Sequence, residues 1–157
     1  MKQQSPRGGN NSQSSNPQAP QRRAAHTSKA EAAQAEVLAE IRPGQSIELL
    51  KELHILTREG RLNQDSRRKL KQVYHLYQLI EPLLQELSAN EHAPTLADHG
   101  AGKSYLGFIL FDLFFKGLGR GEIYGIEWRA ELVERSQQLA KQLGFDRMSF
   151  FNLSVAA

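Results

Sequence analysis

Ala97-Asp98-His99-Gly100-Ala101-Gly102-Lys103-Ser104 joins a short apolar run, Thr95-Leu96, to the longer apolar run of residues 105–115. Two closely spaced glycines between two apolar runs predict a strand, a tight turn and the first turn of a helix. Gly100 and Gly102 allow the backbone to adopt positive φ, and the free N–H groups of a helix start can bind a ligand. The stretch therefore predicts a ligand-binding turn at the edge of an α/β sheet.

Three ligand classes bind at such turns: nucleoside triphosphates, dinucleotides and S-adenosylmethionine. Gly102-Lys103-Ser104 fits the end of a relaxed Walker A pattern, but Asp98 would place a carboxylate among amides that should hold phosphates. Ala97 also replaces the first glycine of that pattern. A dinucleotide site requires Gly or Ala three residues after the second glycine, where this chain has Tyr105. Both alternatives remain open, although these residues weigh against them.

A second acidic residue ends the next predicted strand. Residues 122–127, with the sequence Glu-Ile-Tyr-Gly-Ile-Glu, are typical of a strand, and Glu127 is its last residue. A carboxylate at the end of the second strand can accept hydrogen bonds from both hydroxyls of a ribose. Asp98 ends the first strand in the same way, so two carboxylates are expected at the same edge of the sheet.

With these features, residues 94–157 resemble the class I S-adenosylmethionine-dependent methyltransferases. The segments that carry the resemblance are Asp98-His99-Gly100-Ala101-Gly102, Gly125-Ile126-Glu127, residues 130–136 and Leu143-Gly144-Phe145. It implies that S-adenosylmethionine is the cofactor and that its methyl group passes directly to an acceptor. Many relatives have a third glycine where this chain has Ser104, a residue that can instead cap a helix.

The resemblance also implies which residues contact the cofactor. These are Asp98, Gly100, Gly102, Lys103, Glu127 and Ser154. Asp98 is expected near the methionine end, Glu127 at the ribose and Ser154 at the adenine amino group. The Lys103 side chain is expected to reach the cofactor carboxylate, Asp98 or solvent. No catalytic residue can be assigned, and no metal site is predicted because the histidines do not have metal-ligand spacing.

The predicted fold is α/β, a Rossmann-like doubly wound parallel sheet of which the chain contains the first three strands, preceded by a helical extension. Strands are predicted at 94–97, 122–127 and 148–153, with helices at 104–116 and 129–143, the second ending at Gly144. The extension is predicted to contain a helix at 30–41, a helix capped by Ser46, and a longer helix from Ser66 that kinks or restarts at Pro82.

Three regions follow from this pattern: a disordered basic tail at 1–30, the helical extension at 31–92 and a partial S-adenosylmethionine-binding methyltransferase domain at 93–157. The tail has five of the 20 Lys and Arg residues and none of the 17 Asp and Glu residues. It has almost no large apolar side chain, so it cannot bury enough surface to fold. Such a tail either increases solubility or helps the protein to bind RNA or another polyanion.

Composition excludes several classes of protein. The chain has no cysteine, which excludes disulfides, thiolate nucleophiles and thiolate metal ligands. We expect no signal peptide, because the N-terminal residues lack an apolar segment, and the longest apolar run is broken by Asp112 and is too short to cross a bilayer. We therefore expect a cytoplasmic protein with no membrane partner, and the sequence predicts no particular oligomeric state.

Because the chain ends at the third strand, we expect it to be a fragment of a methyltransferase that is inactive by itself. Its methyl acceptor is not predicted; RNA and protein are both possible. An incomplete sheet should also expose the apolar side chains of Ile109, Phe111, Phe114 and Phe150. The alternative functions are a non-catalytic nucleotide-binding or RNA-associated interaction module and a P-loop-like phosphate binder.

Overall fold

A computed structural model of the chain describes residues 19–89 and 92–154, with the backbone alone for 19–27. The chain divides into two units, Met1–Ala32 and Ala33–Ala157. Three helices come first: α1 Ala19–Glu40, α2 Ile47–Glu52 and α3 Gln64–Ser88. They are followed by β1 Thr95–His99, α4 Tyr105–Leu110, a π-helical segment Phe111–Phe115, α5 Lys116–Leu118, β2 Glu122–Glu127, α6 Ala130–Leu143 and β3 Met148–Asn152.

The three strands form one parallel sheet in the order β1-β2-β3. Asp98 of β1 lies beside Gly125 of β2, which lies beside Phe150 of β3. Since side chains alternate along a strand, these three residues point to the same face of the sheet. The predicted Rossmann-like parallel arrangement with flanking helices is confirmed, and β1 extends two residues further than predicted, so that it includes Asp98.

The first helix is longer than the sequence pattern indicated. It begins at Ala19, whereas the predicted start was residue 30. Alanine and arginine are strong helix formers, and Pro20 lies in the first turn, where its missing N–H costs no hydrogen bond. The disordered tail was predicted at 1–30, but residues 19–30 are helical, and residues 1–18 lie outside the described residues.

The helix ends follow local capping chemistry. The Ser46 hydroxyl accepts a hydrogen bond from the Leu49 N–H at 3.1 Å, which confirms the predicted cap of α2. Gly144 ends α6 in the left-handed conformation, as predicted. The long helix starts at Gln64 and continues through Pro82, so the predicted restart is wrong. Pro82 and Gln78 are both exposed, so water can bind the Gln78 carbonyl that loses its helical donor.

The buried side chains of the helical extension and of the sheet form one hydrophobic core. Phe111 contacts Phe145 with ring centroids 4.6 Å apart, and Phe108 stacks on Phe150 at 5.6 Å. The predicted exposure of four apolar side chains is therefore wrong. Ile109, Phe111 and Phe150 are 6%, 3% and 7% exposed, and Phe114 is half-buried. The segments before the sheet and after α6 supply the cover that later strands were expected to provide.

Asp112 fastens the helical extension to the sheet region. Both of its carboxylate oxygens accept hydrogen bonds from the Ser46 N–H, at 3.2 and 3.0 Å. Its side chain is buried and forms an ion pair with Lys116, whose ammonium also donates to the Gly44 carbonyl at 2.6 Å. A buried carboxylate is tolerated only with such partners.

Among the described residues, no helix is both long and apolar enough to span a membrane.

Replacing Asp112 should therefore destabilise the fold. We expect Asp112→Ala to lower the free energy of unfolding by about 2–4 kcal/mol, because it leaves the Ser46 N–H and the Lys116 ammonium without their acceptor. Asp65→Ala is the matched control, since Asp65 and Lys69 form an ion pair with the same spacing on an exposed helix face. It should change stability little. Urea denaturation measures both, and equal effects would contradict this role of Asp112.

Gly125 is required by the close approach of Phe150. A Cβ at residue 125 would lie 2.6 Å from Cδ1 of the Phe150 ring, closer than any real contact, whereas a Cβ at Gly117 would meet nothing within 4 Å. We expect Gly125→Ala to reduce the free energy of unfolding by about 1–3 kcal/mol through overpacking. Gly117→Ala should be neutral or stabilising, because alanine favours the helix. Denaturation of both variants checks this, and a stable Gly125→Ala protein would contradict it.

Candidate ligand site at the ends of the first two strands

The glycine turn after β1 bends three times into the left-handed region. Gly100, Gly102 and Ser104 have φ of +70°, +59° and +56°. Ser104 is buried and makes no side-chain cap to α4, so the predicted capping role is wrong. Its hydroxyl instead contacts the Ser136 hydroxyl at 3.4 Å. The third glycine position is thus occupied by a residue that adopts a glycine-like backbone at some cost in strain.

Most backbone amides of this turn are already paired. The Gly100 and Ala101 N–H groups donate to the Ile126 carbonyl at 2.8 and 3.0 Å. The Gly102 N–H donates to Oε2 of Glu127 at 2.8 Å, and the Ser104 N–H donates to the Ala101 carbonyl. A phosphate-binding loop needs these amides for its ligand. The geometry therefore disfavours the P-loop alternative.

Glu127 is the buried anion of the site. Its side chain is 4% exposed, and its carboxylate accepts four hydrogen bonds. The Gly102 N–H donates to Oε2, while Arg129 donates its own N–H to Oε1 at 3.0 Å and Nε to Oε1 at 2.9 Å. Nη2 of Arg129 lies 3.3 Å from Oε2. The carboxylate thus joins the glycine turn to the segment that follows β2.

The hydrogen bonds from Arg129 lower the pKa of Glu127 to about 2, against the opposing effect of burial. Glu127 is therefore fully ionised at neutral pH. Burial has the opposite effect on Asp98, since it raises the pKa of that carboxyl, and the charge of His99 offsets only part of the rise. No described residue forms a hydrogen bond or ion pair with the Asp98 carboxylate. Glu127 is thus paired within the chain, whereas Asp98 is available to a ligand.

The structure does not bring Lys103 to the two carboxylates. Lys103 is exposed and lines a cavity of about 130 Å³ that neither Asp98 nor Glu127 lines. The other residues of the cavity wall include Leu53, His54, Tyr105, Arg135 and Leu139. The Tyr105 hydroxyl donates to the Leu53 carbonyl at 2.9 Å, which ties this wall to the helical extension. Of the three alternatives for Lys103, the structure shows an exposed side chain and no ion pair with Asp98.

Ser154 follows β3 and is exposed. Asn152 and Arg129 are also part of the site, although the sequence pattern did not single them out. Asn152 donates to the carbonyls of Glu127 and Trp128, at 3.2 and 2.7 Å, and so holds the end of β2 against β3. Arg129 was also missed. It follows Glu127, the acidic last residue of β2, by two residues, and this spacing could have indicated a local ion pair between the two side chains.

The site fits a ribose better than a phosphate. Glu127 presents an ionised carboxylate at the end of β2, and a Cβ at Gly100 would meet nothing within 4 Å, so the turn is open to a ligand on that side. Among the described residues, no group of three or more histidine, aspartate or glutamate side chains could hold a metal ion. The Asp98 carboxylate can therefore accept from a donor group of a ligand, whereas Glu127 can accept from ligand hydroxyls only in exchange for the Arg129 guanidinium.

The low pKa of Glu127 makes stability depend on pH. A carboxyl whose pKa falls from 4.5 to about 2 on folding stabilises the protein above pH 4.5, and this contribution is lost as the pH falls toward 2. Unfolding free energies measured between pH 5 and about 2 should therefore fall more steeply for the unmodified chain than for Glu127→Gln. Glu134→Gln, on the exposed side of α6, should behave like the unmodified chain. Identical slopes for all three proteins would contradict the assignment.

Comparison with protein-family models gives a match that extends over more than half of the chain. A family model described as a methyltransferase domain matches residues 68–157, starting within α3. No curated protein matches the chain significantly. The solved structures that match include an S-adenosylmethionine-dependent methyltransferase from Aquifex aeolicus, with 21% identity over 54% of this chain and 46% of that chain and a TM-score of 0.34.

Two further matching structures are more distant in sequence. A protein-L-isoaspartate O-methyltransferase is 15% identical over 46% of this chain and 22% of its own, with a TM-score of 0.34. Coclaurine N-methyltransferase bound to N-methylheliamine and S-adenosylhomocysteine is 8% identical over 84% of this chain and 37% of its own, with a TM-score of 0.39. The chain spans less than half the length of each of these structures. By the match of the family model and its Rossmann-like parallel sheet, the chain belongs to the class I methyltransferase domain family.

Proposed function

We propose that the chain binds S-adenosylmethionine at the ends of β1 and β2 and acts in methyl transfer. The observation that carries this proposal is the buried, ionised Glu127 carboxylate, hydrogen-bonded to the glycine turn through Gly102. A carboxylate in this place accepts hydrogen bonds from ribose hydroxyls. Membership of the methyltransferase domain family supports the same ligand.

The proposed roles follow the order of the strands. Glu127 accepts hydrogen bonds from the ribose, and Gly100 and Gly102 allow the ligand to approach the backbone closely. Asp98, half-buried and without a partner among the described residues, binds the amino group at the methionine end. Ser154 contacts the adenine amino group. Lys103 is the weakest of the proposed contacts, because it lines the separate cavity.

The cofactor supplies the chemistry when bound, because its sulfonium carries an activated methyl group. The residues of this chain align the donor with an acceptor nucleophile and exclude water. No described side chain is assigned as a general base. An RNA acceptor could contact the basic residues of the helical extension, which are Arg58, Arg61, Arg67, Arg68, Lys69 and Lys71. Two of them are already paired within the chain, since Arg67 pairs with Glu36 and Glu40, and Lys69 pairs with Asp65.

Isothermal titration with S-adenosylhomocysteine tests the ligand. The unmodified chain should bind it, and Glu127→Gln should weaken binding by about 10- to 100-fold, the loss expected for charge-assisted hydrogen bonds. Glu134→Gln removes an equal charge from the exposed side of α6 and should leave the affinity unchanged. Thermal unfolding of each variant shows whether the fold is kept.

Titrations with magnesium–ATP and with NAD separate the alternatives. Binding of magnesium–ATP that survives Glu127→Gln and is lost in Lys103→Ala would overturn the proposal in favour of a phosphate-binding loop. Tight binding of NAD without binding of S-adenosylhomocysteine would favour a dinucleotide site. Binding of none of the three would support an interaction module without a nucleotide ligand.

A further inference from the structure

We propose that Arg129 is a gate on the ribose-binding carboxylate. The Arg129 guanidinium donates to the positions on Glu127 that two ribose hydroxyls would take, so that ligand binding exchanges one set of donors for the other. This inference rests on the proposed function.

The hydrogen bonds of Glu127 leave no free position for a ligand. An ionised carboxylate has about four acceptor positions. Two are taken by the backbone N–H groups of Gly102 and Arg129, at 2.8 and 3.0 Å. The other two face Nε and Nη2 of Arg129, at 2.9 and 3.3 Å. The backbone donors are fixed by the fold, so only the guanidinium can leave.

The guanidinium also covers the turn. A Cβ built on Gly102 would lie 3.8 Å from Nη2 of Arg129, which places that nitrogen directly beside the turn. Gly100 has no such neighbour, since a Cβ there would meet nothing within 4 Å. A ligand that reaches both the turn and Glu127 must therefore occupy space that Arg129 holds.

Arg129 has room to leave. Its side chain is 43% exposed, while the Glu127 side chain beneath it is 4% exposed. The guanidinium carbon already lies 5.9 Å from the centre of the exposed Trp128 ring, and the charge of Glu131 also attracts Arg129. An exposed guanidinium can rest on an aromatic face or in water at small cost. The exchange therefore needs only a rotation of one side chain.

The exchange selects for ligands with two adjacent donors. A guanidinium presents two parallel N–H groups, and the vicinal hydroxyls of a ribose are a neutral pair of donors that can replace them. The gate thus favours a ligand with a free vicinal diol, such as an adenosyl group.

Calorimetric titration of the full chain with S-adenosylhomocysteine tests the gate. Because Arg129→Ala removes the competing donors and keeps the backbone N–H, it should tighten binding by about 3- to 10-fold. Arg129→Lys should give an intermediate affinity, since a lysine competes with a single point charge. Arg68→Ala is the matched control, as it removes an exposed arginine from α3, away from the site, and should leave the affinity unchanged.

The dependence of the affinity on ionic strength is a second measurement, and it distinguishes a gate from a purely structural role of Arg129. Salt weakens the ion pair of Arg129 with Glu127 only in part, through the 43% exposed Arg129 side chain, so the affinity of the unmodified chain should rise slightly between low and high salt, while that of Arg129→Ala should not. If Arg129→Ala folds but binds as the unmodified chain does or more weakly, the gate is overturned, and Arg129 only positions the carboxylate. If Arg129→Ala is unfolded, the affinity of Arg129→Lys and the salt dependence decide. Binding by none of the proteins overturns the proposed function and the gate with it.

Discussion

The hydrogen bond from the Gly102 N–H to the Glu127 carboxylate is the constraint on which the rest of the site depends. A charged group that is almost fully buried is stable only when donors surround it. The turn after β1 supplies one donor, and Arg129 supplies the others. Because the turn and the end of β2 share this carboxylate, the ends of two neighbouring strands are held at a fixed distance before any ligand arrives.

A second buried carboxylate has the same role at the other end of the domain. Asp112 accepts both of its backbone hydrogen bonds from Ser46 and pairs with Lys116, as Glu127 accepts from Gly102 and pairs with Arg129. Each of these buried carboxylates joins two segments that are far apart in the sequence. Apolar packing then fills the space between them, with Phe111 against Phe145 and Phe150 against Gly125.

Sequence patterns predicted the features that depend on local chemistry. The Ser46 cap, the left-handed Gly144 and the parallel strand that ends at Glu127 each depend on residues close together in the chain. The features that depend on distant contacts were missed. Phe111 is buried because Phe145 covers it, and this contact leaves no periodic pattern in the sequence. The continuation of α3 through Pro82 was also missed, because the sequence alone does not show that this part of the helix is exposed.

The candidate site shows the same division between local and distant effects. The position of Glu127 at a strand end follows from the strand pattern, but the state of its carboxylate depends on which donors the fold brings to it. A buried carboxylate that must be satisfied for the chain to fold cannot also be left free for a ligand. In the proposed exchange, the net free energy of binding is the difference between the hydrogen bonds of the ribose hydroxyls and those of the guanidinium that they replace. The proposal therefore makes the affinity depend as much on how easily Arg129 leaves as on how well the ligand fits.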